Sequence, residues 1–141
     1  MPIFKRCSRC GKRIPEGTEC SCVNKRYKHE DRYRADSKEH KFYISSQWAK
    51  KRRVIYEKFC GMDIYSLYKY GRIEKGRTVH HIVPLKDDWT LRYDSNNLIL
   101  LTEQNHRRLH QLMEQGEKEK RAVIKELQGF LIRFKREQGE V

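Results

Sequence analysis

The chain has 141 residues, of which 37% are hydrophobic, 36% are charged and 11% are aromatic. This composition suggests one ordinary domain with a modest core and at most a small appendage, and it argues against global disorder. The chain contains no apolar run of transmembrane length and no secretory h-region, so we expect a cytoplasmic protein and no membrane partner.

The net charge of +13 is unevenly distributed. Residues 1–60 hold 17 basic against 7 acidic side chains, whereas residues 61–141 hold 15 against 12. A basic arm beside a nearly neutral body favours a polyanionic partner. Nucleic acid is the first candidate, because clustered Lys and Arg that bind its phosphates release condensed counterions. The alternative is a basic protein without such a partner.

Four of the five cysteines lie near the start, in the spacing Cys7-x2-Cys10 and Cys20-x-Cys22. Residues 1–24 are too short to bury a core, and four thiolates around a tetrahedral Zn²⁺ would fold them. We therefore predict a zinc knuckle, with a pair of disulfides or unligated thiols as the alternatives. Residues 25–41 hold almost no aliphatic side chains and are predicted to be a basic linker or solvated helix, leaving 42–141 as the main domain.

In the main domain, Ser45 or Ser46 can cap a helix whose apolar residues Trp48, Ile55 and Phe59 share one face. Its basic residues either face solvent or contact phosphate, and they are Lys50, Lys51, Arg52 and Arg53. A short helix should follow, beginning at Asp63 and ending at Gly71.

Two strands and two further helices are predicted downstream. The strands are 78–83 and 96–101, and Thr102 can cap a helix over 103–114. A last helix over 117–136 has an apolar face that either packs on the core or dimerises, and this face consists of Val123, Leu127, Phe130, Leu131 and Phe134.

Four of the six histidines fall between positions 80 and 110. His106 and His110 are four residues apart on a helix, so they share a face and can bind one metal ion. A packed strand can supply the third ligand from His80 or His81. Because adjacent strand residues diverge, the other histidine is then available as a general acid or base.

The order His80-His81, Asn97, His106, His110 on a strand–strand–helix scaffold resembles the HNH, or ββα-metal, nucleases. The paired histidines and His-x3-His are similar to the nuclease colicins, whereas "TVHHIVPLKDDWTLRY" and "NLILLTEQNHRRLH" resemble phage and prophage HNH endonucleases. The resemblance covers residues 42–112. It implies an α+β fold with a small ββα-metal core and flanking helices, to which the cysteines add the N-terminal zinc knuckle.

By this resemblance, His81 is the general base that activates water, and Asn97 is the structural asparagine of the motif. His80 and His106 are the core metal ligands, and His110 is the additional ligand of the colicin-like members. Arg107 and Arg108 flank His106 and are candidates for phosphate contact, although adjacent helix positions diverge and one of them can equally face solvent.

The resemblance also implies the reaction, which is hydrolysis of DNA phosphodiester bonds to 5′-phosphate and 3′-hydroxyl ends with one divalent ion (Mg²⁺, Mn²⁺, Ni²⁺ or Zn²⁺). All-imidazole ligation favours a transition metal. Phage relatives are often encoded beside terminases, which makes a phage terminase a candidate partner and genome packaging a candidate role. The alternative function is a non-catalytic, zinc-containing DNA- or RNA-binding module.

One departure from the family pattern concerns a second zinc. Many members hold it on two Cys-x2-Cys pairs, and at the matching positions this chain has Cys60, Asp63, Thr102 and Asn105. We therefore expect no second structural zinc, a lone buried Cys60, and a core that depends on packing, with Trp48 and Trp89 as contributors.

Overall fold

A computed structural model describes residues 3–8, 10–22 and 37–139 of the chain. The chain divides into two compact units, Met1–Ile44 and Ser45–Val141. Most of the predicted linker 25–41 lies outside the described residues. None of the helices that the structure describes is long and apolar enough to cross a bilayer.

The first unit contains a small hairpin and a short helix. Strands β1 (Phe4–Arg6) and β2 (Arg13–Pro15) pair antiparallel, with Lys5 opposite Ile14. Helix α1 (Lys38–Tyr43) begins at Ser37, whose side chain accepts a hydrogen bond from the backbone N–H of His40. The hairpin is too small for a core of its own, so we expect that metal binding by its cysteines stabilises it.

The second unit begins with two helices at the positions that the capping residues predicted. Helix α2 (Ser46–Lys58) is capped by Ser45, and helix α3 (Ile64–Tyr70) is capped by Asp63. Gly71 ends α3 in the left-handed conformation, with φ +66°, which only glycine adopts without strain. On α2, the predicted apolar face is confirmed, because Trp48, Ile55 and Phe59 are buried.

The sheet of this unit has two short antiparallel strands. Strand β3 (Thr78–His81) pairs with β4 (Leu98–Leu101), placing His80 opposite Ile99 and His81 opposite Leu98. Both strands are shorter than predicted. Strand β3 ends at His81, and β4 begins at Leu98 because residues 95–97 form a 3-10 turn. All four β4 residues are buried beneath α2, α3 and the helix that follows β4, which explains the unbroken apolar run in that strand.

Two helices complete the unit. Helix α4 (Glu103–Glu114) is capped by Thr102 as predicted, and α5 (Glu117–Glu137) packs along α4 and α3. On α5, Val123, Leu127 and Leu131 are buried, and Phe134 lies edge-on to Phe59 with ring centroids 5.0 Å apart. The apolar face of α5 therefore packs on the core of its own chain, which decides between the two predicted uses of that face.

The four positions matched to a second zinc require a correction. Cys60 was expected to be buried, but it is exposed, with φ +54°, just after α2 ends. The other three residues, Asp63, Thr102 and Asn105, form a buried hydrogen-bonded cluster, so packing is not the only force that holds this part of the core. Trp48 is buried as expected, whereas Trp89 is only half-buried.

Candidate metal centre and base

The strand β3 directs its two adjacent histidines to opposite sides. The ring of His80 faces α4, with its centroid 5.4 Å from that of His106 and 5.0 Å from that of His110. The ring of His81 faces α2 and stacks on Trp48, with centroids 4.9 Å apart and planes inclined by 21°. Strand alternation thus separates the two imidazoles, and it is His80 that joins the helix pair.

One ring nitrogen from each of His80, His106 and His110 lies within 4.8 Å of the other two, and the Nε2 atoms of His106 and His110 are 2.9 Å apart. Ligands 2.0–2.1 Å from one metal ion are about 3.0–3.4 Å apart in octahedral or tetrahedral geometry. The three rings therefore have nearly the spacing that a shared divalent ion requires.

The buried Nε2 atom of His80 has no hydrogen-bond partner among the described residues. Such a nitrogen costs free energy unless something satisfies it, and a metal ion aligned with His106 and His110 would do so. Exposure increases from buried His80 through half-buried His106 to exposed His110, so the cluster is open to solvent on the His110 side. The donor set and its surroundings fit a divalent ion with room for further ligands.

Burial also sets the protonation of these rings. It lowers the pKa of His80 well below its usual range, and the neighbouring charges of His110, His106 and His81 lower it further. Burial, followed by the charge of His110, lowers the pKa of His106, and the Glu103 carboxylate partly opposes this shift. Both rings are therefore neutral near physiological pH, which is the form that binds metal.

On the other side of the strand, the backbone fixes the tautomer of His81. Its Nε2 lies 3.0 Å from the carbonyl oxygen of Arg92. Because a carbonyl can only accept, Nε2 must carry the proton, and the lone pair is on Nδ1. Burial lowers the pKa of His81, while the bond to Arg92 opposes the shift. A buried, neutral and oriented imidazole is suited to act as a base.

Asn97 holds the loop that carries the Arg92 carbonyl. Its Oδ1 accepts from the N–H of Val83 at 2.8 Å, and its Nδ2 donates to the carbonyls of Val83 at 3.1 Å and Leu91 at 3.4 Å. The buried amide therefore bridges the end of β3 and the loop between the strands, as the sequence predicted. It thereby constrains the loop whose Arg92 carbonyl bonds to His81.

The candidate DNA-binding residues fall into distinct settings. On α2, Lys51 donates to the Ser95 hydroxyl at 2.7 Å beside the strand loop, while its three basic neighbours are exposed, namely Lys50, Arg52 and Arg53. On α4, Arg107 pairs with Glu103, and Arg108 donates to the Tyr70 hydroxyl at 2.9 Å. Arg107 and Arg108 therefore diverge, as expected of adjacent helix positions.

The first unit brings its four cysteines into a second cluster. The Sγ atoms of Cys7 and Cys22 are 3.6 Å apart, those of Cys10 and Cys20 are 3.5 Å apart, and all four lie within 4.8 Å of one another. Tetrahedral Zn²⁺ with bonds of 2.3 Å places its sulfurs about 3.8 Å apart. None of the four forms a disulfide. The four thiols could therefore hold one zinc ion.

Crowding of the thiols affects their ionisation. Partial burial, together with the thiols of Cys20, Cys7 and Cys10, raises the pKa of Cys22 to about 12. Four thiolates so close together need a cation to balance their charge, so loading with metal releases protons.

Two features of the site have no signal in the sequence. The carbonyl of Arg92 is a backbone group 11 residues from His81, and the ring stacked on His81 belongs to Trp48, which the sequence suggested only for packing. The helical spacing of the apolar residues correctly predicted that Trp48 lies on the buried side of α2. The spacing could not show that the Trp48 ring would stack on His81.

No family model matches the chain, and no curated protein matches it either. Among solved structures, it is similar to the HNH endonuclease of the deep-sea thermophilic bacteriophage GVE2, crystallised with manganese ion. The two are 30% identical, the match covers 64% of this chain and 89% of the phage protein, and the TM-score is 0.46. With that identity over most of the phage enzyme, the chain belongs to the HNH endonuclease family.

Proposed function

We propose that this protein is a metal-dependent endonuclease that hydrolyses DNA phosphodiester bonds. The observation that supports the proposal is the divergence of the two histidines of β3. His80 meets His106 and His110 on one side, and His81 bonds to the Arg92 carbonyl on the other. The family membership supports the same reaction. The products that we expect are 5′-phosphate and 3′-hydroxyl ends.

A divalent ion held by His80, His106 and His110 would supply charge to a bound phosphate oxygen and stabilise the leaving alkoxide. His81 accepts a proton from the attacking water at Nδ1, while the Arg92 carbonyl keeps the proton on Nε2. The stack on Trp48 limits rotation of the ring. The histidines act from a strand and a helix, which hold them in the orientation that the reaction requires.

Mn²⁺ suits the proposal because the phage relative was crystallised with manganese ion, while three imidazoles also accept Ni²⁺ or Zn²⁺. We assign a structural Zn²⁺ to the four-cysteine cluster and DNA phosphate contacts to Lys50, Lys51, Arg52, Arg53, Arg107 and Arg108. Phosphate contacts of this kind position a duplex without reading its sequence. Action beside a phage terminase in the cytoplasm of an infected host completes the proposal.

The test is nicking of supercoiled plasmid by zinc-loaded protein with added Mn²⁺. His81→Ala should abolish nicking while DNA binding and metal content remain, because it removes the base and no metal ligand. His40→Ala, in the first unit, is the matched histidine control and should nick like the wild type. Nicking by His81→Ala at the wild-type rate would refute the assignment of the base. DNA binding by wild-type protein without any nicking would favour the non-catalytic binding module.

A further inference from the structure

Away from the histidines, a carboxylate is fully buried at the start of α3. Asp63 has no exposed surface, and its two oxygens accept three N–H donors. Oδ1 accepts from the N–H of Ser66 at 2.7 Å, whereas Oδ2 accepts from the N–H of Thr102 at 2.6 Å and from Nδ2 of Asn105 at 2.8 Å. An ionised carboxylate offers only acceptors, so all three bonds suit the charged form.

Two of these three donors belong to the beginning of α4. Thr102 is the capping residue of that helix, and its hydroxyl accepts from the N–H of Asn105 at 3.1 Å. Asp63 therefore binds the cap of α4 and its first turn from another element, 39 and 42 residues away in sequence. A negative charge at this end also interacts favourably with the dipole of α4.

The next residue after Asn105 is His106, and His110 follows one turn later. Because a helix moves as a rigid element, the position of its first turn sets where both rings meet His80. Loss of the Asp63 bonds would let α4 shift relative to β3. Displacements on the order of 1 Å are enough to spoil the geometry of a site.

We infer that Asp63 is a positioning residue for the three-histidine centre: its buried carboxylate, bonded to Thr102 and Asn105, holds α4 where His106 and His110 can share an ion with His80. The inference rests on the proposed metal centre and goes beyond it, since it makes metal affinity depend on a group that lies in another part of the core.

The test uses Asp63→Asn in the full-length protein carrying one equivalent of Zn²⁺, which the four thiolates bind in preference to the imidazoles. Mn²⁺ binding is followed by loss of the electron paramagnetic resonance signal of the unbound ion. Thiolates bind Mn²⁺ poorly, so the titration reports on the histidines. The amide can accept at only one of its two terminal atoms, so either the bonds to α4 or the bond to Ser66 are lost. In both orientations the substitution also removes the negative charge beside the beginning of α4. We expect Mn²⁺ affinity to fall by about 10- to 100-fold, the range for groups that orient metal ligands.

Ser66→Ala is the matched control from the same cluster. Its hydroxyl accepts from Nδ2 of Asn105 and donates to Glu74, but the bonds of Asp63 to α4 do not need it. We expect a loss of stability with Mn²⁺ affinity within about twofold of wild type. If Asp63→Asn does not fold, Asn105→Ala takes its place, because it removes one of the two bonds to α4, and a smaller loss of affinity is expected.

Titrations are run where unfolding curves show every variant folded, so a merely structural role for Asp63 would leave the affinity unchanged. Wild-type affinity in folded Asp63→Asn, or an equal loss in Ser66→Ala, would overturn the inference. Mn²⁺ binding that survives His80→Ala would also overturn it, since the ion would then lie elsewhere. A selective loss in Asp63→Asn would support it even if wild-type protein failed to nick DNA, which separates this test from that of the proposed function.

Discussion

Asn97 gives the most direct link between a buried hydrogen-bond network and the proposed base. In Asn97→Ala the N–H of Val83 loses its acceptor and two carbonyls lose a donor. Two of the three bonds are of normal length, and the bond to Leu91 at 3.4 Å is weak. With one buried donor left unsatisfied, the free energy of unfolding should fall by about 2–4 kcal/mol.

The neighbouring Asn96 supplies the control, because it is exposed and its side-chain oxygen accepts from the Lys135 ammonium at the surface. Asn96→Ala should change stability by less than about 0.5 kcal/mol. Both tryptophans of the chain, Trp48 and Trp89, lie in the second unit, so urea unfolding followed by tryptophan fluorescence reports on that unit.

Activity provides the second measurement on the same protein. With Asn97 removed, the loop that carries the Arg92 carbonyl is less constrained and His81 loses its fixed orientation. Plasmid nicking should therefore fall while Mn²⁺ affinity at the histidines stays near wild type. Equal stabilities of Asn97→Ala and Asn96→Ala, or unchanged nicking by Asn97→Ala, would refute the reasoning.

Three further predictions concern the core and are checked by urea or thermal unfolding. In Phe134→Ala the free energy of unfolding should fall by about 3–5 kcal/mol, because the ring that packs against Phe59 is removed. Ile132 is exposed, so Ile132→Ala should change it by less than about 0.5 kcal/mol. Similar losses in both variants would contradict the packing of α5. In Gly129→Ala the free energy of unfolding should rise by about 0.5–1 kcal/mol, because alanine favours the helix and the added Cβ, in the middle of α5, has no neighbouring atom within 4 Å. A fall in stability would mean that this face of α5 is covered. In Gly76→Ala the free energy of unfolding should fall by about 1–3 kcal/mol, because the added Cβ overlaps the side chain of buried Leu100. Wild-type stability of this variant would show that the contact can relax.

The sequence predicted local features better than distant ones. Ser45, Asp63 and Thr102 mark helix starts because a cap acts through the backbone of its own first turn. The alternation of strand residues predicted that His80 and His81 diverge, but their own chemistry could not say which one faces α4. That choice depends on how β3 packs against α4, which is a property of the folded chain.

The exposure of Cys60 and the long-range bonds of Asp63 were not predicted from the sequence. Cys60 was expected to be a lone buried cysteine because the other three thiols of the zinc pattern are missing, yet the chain turns there with positive φ and Cys60 is exposed. The cap of Asp63 was visible in the sequence, but its bonds to Thr102 and Asn105 cross 39 and 42 residues and have no local signature. Such networks become predictable only after the topology is known.

The exposure of Cys60 has a practical consequence for work in solution. Zinc in the four-cysteine cluster would shield those thiols from alkylating reagents and leave Cys60 as the reactive one. A maleimide dye would then attach at one known position, near the end of α2, and could report on DNA docking by energy transfer. Without a reductant, the same thiol would link two molecules of the protein through a disulfide, so a covalent dimer seen after storage would be an oxidation product.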